Sequence, residues 1–188
     1  MREIEVKLKL ADTVTVQEVL AKLQARGLGE VTTARQIDTV FLQPEQINIP
    51  ITKGSKIMRV RDVCDAAGKI CTSVLTLKIQ KYNKLESDEC EFEVTDGVAA
   101  RKLLCNLGWK QVATVDKVRT EGPLKMYRVC IDEVLGLGTF IELEYNTEDA
   151  TSDAAQIQHC MRTFLNSCGI EGEPWTTPYD TSLREMMG

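Results

Sequence analysis

The stretch MREIEVKLKL, residues 1–10, alternates charged and aliphatic side chains: Glu3, Glu5 and Lys7 interleave with Ile4, Val6 and Leu8. A strand repeats every two residues, so the stretch reads as a strand with both carboxylates and the ammonium on one face. Alternate side chains on a strand stand roughly 7 Å apart. Folding alone gives no reason to set two like charges at that spacing. A cation bound between them would.

A single stretch of this kind describes many solvent-facing strands. Recurrence changes the reading. Arg59 and Arg61 flank Val60, Glu91 and Glu93 flank Phe92, Lys117 and Arg119 flank Val118, and Glu142 and Glu144 flank Leu143. Thr76 and Lys78 sit in LTLKI, and Arg128 shares a face with Asp132. Solvated strands mix signs, because mixed neighbours are mildly stabilising and like neighbours mildly destabilising. Here most doublets carry one sign. A face built this way suits a ligand that itself carries both signs, such as a metal–phosphate complex.

The 188 residues and a hydrophobic fraction of 43% are enough for one domain, spanning 1–188, with a real core. A net charge of −5 argues against bulk binding to nucleic acid or an anionic membrane. No apolar run approaches membrane-spanning length, and no signal-peptide core is present. The seven cysteines are scattered without a CxxC pair. They read as reduced, mostly buried thiols of a cytoplasmic protein, monomer or homodimer.

Along the chain, Thr15-Val16-Gln17-Glu18 reads as a capping box opening a helix that Gly27 ends. Strand-like runs follow over 31–42, 57–63 and 70–80, with a turn at 65–68 and a polar connection over 81–88. The order then restarts: a strand over 89–94, a helix from Asp96 to Gly108, and strands over 109–120, 126–132 and 139–145. A third helix begins at Asp153, and the tail YDTSLREMM forms a short closing helix. GEVTTARQIDT (29–39) aligns without gaps against KQVATVDKVRT (110–120), which implies an internal duplication. Two strand–helix–three-strand repeats give eight strands, polar on one face and aliphatic on the other.

The arrangement that satisfies both faces is an α+β fold: a closed eight-stranded antiparallel β-barrel, polar inside, with helices packed outside. An open sheet with one wet, charged face is the alternative, but it leaves unpaired edges. The barrel's tunnel collects Lys7, Arg59, Arg61, Lys78, Lys117 and Arg119, cations that can surround a polyphosphate. Its carboxylates, without histidine or CxxC, make a hard oxygen site suited to Mg²⁺ or Mn²⁺. No P-loop is present, and His159 lies in mid-helix as a packing or surface residue.

EIEVK (3–7), RVR (59–61), LTLK (75–78), EFEV (91–94), DKVR (116–119) and IDEVLGLGTFIELE (131–144) together resemble the CYTH superfamily, the triphosphate tunnel metalloenzymes. The last block is similar to that of the class IV adenylyl cyclase-like branch. The resemblance implies a divalent-metal-dependent reaction on a triphosphate. It implies triphosphate binding by Lys7, Arg59, Arg61, Lys78, Lys117 and Arg119, and metal binding by Glu5, Glu142 and Glu144. Glu3, Glu93 and Asp132 then serve the chemistry, Asp132 from behind the metal and Glu3 or Glu93 by orienting water. Glu91 and Glu93 would also orient the basic residues or hold a second metal. The loop PEQINIPITKGSKI (44–57) and the tail depart from the cyclase-like pattern at the end where a base would sit. The expected activity is hydrolysis of inorganic, thiamine or nucleoside triphosphate. Cyclisation of ATP to cyclic AMP and pyrophosphate is the alternative, and polyphosphate binding without catalysis the second.

Overall fold

The computed structural model describes residues 1–65, 67–81 and 85–187, with the backbone alone at Met187. Ala66 of the expected turn and Tyr82, Asn83 and Lys84 of the expected connection lie outside the described residues. Each half of the chain runs strand, helix, then a meander of three strands. The first half is β1 (Arg2–Lys9), α1 (Val16–Gln24), β2 (Thr32–Leu42), β3 (Lys56–Cys64) and β4 (Ile70–Gln80). The second is β5 (Glu86–Val94), α2 (Gly97–Asn106), β6 (Lys110–Leu124), β7 (Tyr127–Val134) and β8 (Gly138–Thr147). Then come α3 (Ala154–Ser167), the two-residue strand β9 (Glu173–Pro174) and α4 (Tyr179–Met187).

The strands pair antiparallel in the order β5-β4-β3-β2-β6-β7-β8-β1, and β1 pairs back onto β5, with Glu3 opposite Ser87. The closed barrel leaves no open edge in the eight-stranded ring, which settles the choice against an open sheet. β9 adds outside it against Leu8 and Lys9.

The ladder carries the duplication in its register. The aligned segments equate Thr33 with Thr114 and Thr39 with Thr120. The strands pair Thr33 with Thr120 and Thr39 with Thr114. Exchanging the two halves therefore maps the β2–β6 ladder onto itself, with Gln36 opposite Lys117 at its centre. The same exchange maps β1–β5 onto itself at Glu3 and Ser87. The barrel is a two-fold repeat about an axis through these two ladders.

Most inward positions of the strands are polar and outward ones form the core, while Val115, Val134 and Phe140 keep inward parity and pack with Tyr179. Val6, Leu8, Val129, Ile131, Ile141 and Leu143 point out and are covered by Val19 and Leu23 of α1 and Met161 and Leu165 of α3. Phe41 and Val60 are covered by Ala100 and Leu104 of α2. Thr15 and Glu18 make both hydrogen bonds of the expected capping box, and Asp96 and Asp153 cap α2 and α3. Gly108 and Gly169 end those helices with φ of 91° and 68°, values that only glycine takes cheaply.

Two expectations need correcting. β5 begins at Glu86, not Glu89. Glu86, Ser87 and Asp88 look like a loop because this barrel is wet inside, so polar residues there are in the ladder. The cysteines are all free, but only Cys64, Cys130 and Cys168 are buried. Cys105 and Cys160 stand on outer helix faces, where a small thiol costs little. No helix among the described residues is long and apolar enough to cross a membrane.

The outer core makes a stability prediction. Leu165 is fully buried between α3 and the barrel. Leu165→Ala is expected to cost about 2–5 kcal/mol in urea denaturation. Leu103→Ala, on the exposed side of α2, is expected to stay within about 0.5 kcal/mol.

Candidate active site

The barrel encloses a cavity of about 690 Å³. Strand alternation aims every second side chain into it. β1 contributes Glu3, Glu5 and Lys7; β3 contributes Arg59 and Arg61; β4 contributes Lys78. β6 contributes Lys117 and Arg119, and β8 contributes Glu142 and Glu144. These are ten of the twelve residues singled out from the sequence. Asp132 is the eleventh, fully buried in the wall behind Lys117 and Arg119. Glu93, the twelfth, is not brought into the cavity. It is exposed near the end of β5, opposite Val74.

The two halves place opposite charges at equivalent positions. Asp38 pairs across the ladder with Arg61, and Arg119 pairs with Asp132. Arg61 grips Asp38 with Nε and an Nη at 2.7 and 2.8 Å, and Arg119 grips Asp132 at 2.7 and 2.6 Å. The alignment equates Asp38 with Arg119, so Arg61 corresponds to Asp132. It is one bidentate bridge made twice with its signs reversed. Following the register outward, Lys78 corresponds to Glu144, Thr76 to Glu142, and Lys7 to Glu91. The β3–β4 wall therefore presents Arg59, Arg61 and Lys78, and the facing β7–β8 wall presents Asp132, Glu142 and Glu144.

The acidic wall is tightly held. Glu142 accepts from Lys7 at 2.8 Å and Arg119 at 2.6 Å. Burial pushes its carboxyl up, but Lys7, Arg119 and Lys117 outweigh burial and hold it well below the usual range. Asp132 is lowered in the same way by Arg119 and Lys117. Lys117, crowded by burial and by the Arg119 guanidinium, falls to about 8 despite Asp132. Arg119 also reaches Glu144 at 3.4 Å. It thus ties three carboxylates together.

Glu3 and Glu5 are held less well. Burial first, then the neighbouring carboxylates, pushes both up, against Lys78 for Glu3 and Lys7 for Glu5. Glu89, which sequence reading placed at the start of a strand without a role, bonds Lys78. It stays near 2, because Lys78 and a hydrogen bond from Glu3 outweigh its burial. The missed signal was the duplication itself: once β5 is aligned on β1, Glu89 falls at the position of Glu5. Glu91 does hold Arg59, at 3.1 Å.

A divalent cation fits this chemistry. Glu5 lies directly opposite Glu144 across the β1–β8 ladder. Ligand atoms of Glu142, Glu144 and Cys130 lie within 4.8 Å of one another. Of these, Glu5 resists ionisation because burial outweighs Lys7, and a hard cation would relieve it.

The tail reaches the same cavity. Trp175 N–H bonds the Lys7 carbonyl at 2.9 Å, and Thr176, Pro178, Tyr179 and Asp180 line one end. Trp175 itself packs on Phe140, with ring centroids 5.4 Å apart. It serves the fold of the tail and does not face a ligand. Sequence reading had expected the closing helix, but not the entry of Tyr179 into the cavity.

The raised Glu3 carboxyl predicts a pH signature. Its folded form keeps a proton where the unfolded chain has lost it, so stability drains away as pH rises from about 4.3, the usual Glu value. Glu3→Gln removes that loss. The difference in Tm between variant and parent is expected to be near zero around pH 4 and positive by about pH 8. A difference that is flat across this range would show that Glu3 ionises freely in the folded protein.

Comparison with known proteins agrees with this geometry. A protein of Methanocaldococcus jannaschii named "putative adenylate cyclase" is 29% identical over 161 residues, which cover 86% of each chain. A solved Pyrococcus horikoshii structure superposes with a TM-score of 0.75 at 24% identity, covering 95% of this chain and 98% of that one. A Hippeastrum structure, described as a "putative adenylyl cyclase" with a dominant triphosphatase activity, gives 0.63 at 17% identity, covering 98% and 95%. The CYTH domain model matches residues 1–171. With that match spanning all eight barrel strands, the chain belongs to the CYTH domain family.

Proposed function

We propose that this protein is a divalent-metal-dependent triphosphatase that hydrolyses the terminal phosphoryl group of a triphosphate held along its tunnel. The observation that carries this reading is the pair of facing walls of opposite sign. A triphosphate alone complements only Arg59, Arg61 and Lys78, and a metal alone only Asp132, Glu142 and Glu144. A metal–triphosphate complex complements both walls.

Arg59 supports the cationic side of this reading. It touches Thr76 and Glu91 at 3.1 Å through one Nη, while its buried Nε–H has no partner. A buried donor left unpaired costs about 1–3 kcal/mol, which a phosphate oxygen would recover. Arg61 and Lys78 stand beside it, each already held in place by a carboxylate. Glu5, Glu142 and Glu144 are the residues that would hold Mg²⁺ or Mn²⁺. When bound, such an ion neutralises charge developing on the phosphate oxygens. The remaining work is positioning and charge stabilisation by fixed groups, which carries phosphoryl transfer without a covalent nucleophile. With Glu93 outside the cavity, Glu3 is the carboxyl left from the sequence reading to orient the attacking water.

Hydrolysis is favoured over cyclisation by the lining. Among the described lining residues the one aromatic is Tyr179, and the Lys7 ammonium already lies 4.1 Å from its ring centre. Among the described residues a nucleobase would find no free ring to stack on. The cyclase reading draws its support from the 131–144 block and from the name of the M. jannaschii relative.

Incubation with Mg²⁺ or Mn²⁺ and, separately, inorganic triphosphate, thiamine triphosphate and ATP decides between them. Orthophosphate release is expected, with higher kcat/KM for inorganic or thiamine triphosphate than for ATP. Cyclic AMP and pyrophosphate from ATP would replace this reading with the cyclase. Tight binding without product would leave a binding module.

Arg59→Ala is expected to weaken triphosphate binding by about 2 kcal/mol, and orthophosphate binding by less. Arg119→Ala is the contrasting variant. It takes a partner from three buried carboxylates and is expected to cost about 3–5 kcal/mol of stability whether or not ligand is present.

A further inference from the structure

Tyr179 opens α4 and is 8% exposed, although it sits in the tail beyond the last barrel strand. Its hydroxyl donates to Glu142 Oε1 at 2.9 Å, the oxygen that also accepts from Lys7. Arg119 holds the other oxygen, Oε2. Both oxygens are therefore engaged, and the carboxylate cannot turn. The Tyr179 ring lies under Lys7 at 4.1 Å and near Lys117 at 5.4 Å, with Phe140 packed against it at 4.9 Å.

Two ammoniums converging at one end of a tunnel repel each other. Each already bonds one carboxylate at 2.8 Å, Lys7 to Glu142 and Lys117 to Asp132, and a further carboxylate between them would cancel the charge that a phosphate needs. An aromatic face holds an ammonium through its quadrupole and carries no net charge. The hydroxyl on the same ring fixes a carboxylate of the facing wall. One side chain thus serves both kinds of wall.

We propose that Tyr179 is a positioning residue of the tunnel: its hydroxyl orients Glu142 for the metal, and its ring holds Lys7 and Lys117 for the phosphate. The C-terminal tail is then part of the site and not only a cover for one end. The role rests on the triphosphatase reading for its ligands.

Two variants separate the two tasks. Tyr179→Phe keeps the ring and loses the hydroxyl. Tyr179→Leu loses both. Full-length parent and variants are titrated calorimetrically with Mn²⁺ alone and with inorganic triphosphate alone, and Tm is recorded for each. Tyr179→Phe is expected to weaken Mn²⁺ about tenfold, the loss typical of removing a hydrogen bond to a metal ligand, and to leave triphosphate affinity within about twofold. Tyr179→Leu is expected to weaken triphosphate about tenfold as well.

Lower Tm with both affinities unchanged would make Tyr179 a packing residue and overturn the proposal. Tighter Mn²⁺ binding by Tyr179→Phe would overturn it too, by making the hydroxyl a competitor of the metal. A parent that binds Mn²⁺ but not triphosphate would sink the triphosphatase reading and the ring's role with it. The hydroxyl's role would still be judged by the Mn²⁺ titration of Tyr179→Phe.

Discussion

A charge buried inside a protein must be paired, and the interior of this barrel is built from charges. Asp132 is wholly out of solvent, and nothing in a small barrel could hold it ionised except the bidentate grip of Arg119 and the ammonium of Lys117. That requirement propagates. Arg119 in turn must be shared with Glu142 and Glu144, Glu142 with Lys7, and Lys7 with the ring of Tyr179. The network gives each charge a fixed place before any ligand arrives. Preorganisation of this kind is what electrostatic catalysis draws on, because little reorganisation remains to oppose the reaction.

The duplication explains how one barrel acquires two unlike walls. Two identical halves would give a symmetric tunnel with the same charge on both sides. Reversing the sign of a bridge preserves the bridge: Asp38–Arg61 and Arg119–Asp132 satisfy the same burial constraint with the acid and base exchanged. The fold tolerates this because the pairing energy does not depend on which strand carries which charge. The ligand preference does depend on it. Repeating the reversal at Lys78 and Glu144 gives the two-fold repeat a cationic and an anionic wall, and the reversal at Lys7 and Glu91 sets one counter-charge beside each.

The fold was legible because period-two alternation survives such reversals. Ile4, Val6 and Leu8 face out whatever the charges between them do, and the strand count, the closure and the three capped helices follow from that pattern. The site was legible wherever a doublet lay in mid-strand, as with Arg59 and Arg61 or Glu142 and Glu144. It failed at strand ends. Glu93 has the right parity but lies too far along β5 to reach the cavity. Glu89 has the right place but reads as the first residue of a strand, behind a polar run that reads as a connection, and so carries no role. Hydropathy separates strand from loop when strands are apolar, and an inward polar strand removes that contrast. Tyr179 was out of reach for another reason. Its role arises from contacts with residues far away in the chain, at Lys7 and Glu142, and no local period encodes those.

The sign reversal also accounts for the uneven satisfaction of the carboxylates. On the acidic wall each acid has a base beside it, so Asp132 and Glu142 stay ionised at low cost. Glu3 sits on the axis of the repeat, where its symmetry mate is the neutral Ser87. An axial position cannot be given a sign-reversed partner by the repeat, since the exchange of halves returns it to the residue across the same ladder. Glu3 is left to share Lys78 with Glu89, and its carboxyl rises accordingly. Gln36 and Lys117 occupy the other axial ladder with the same result: a buried amide oxygen without a partner beside an ammonium lowered to about 8. Both axial ladders are thus places where the repeat supplies no sign-reversed partner, and they face each other across the tunnel, where a ligand of mixed charge would complete them.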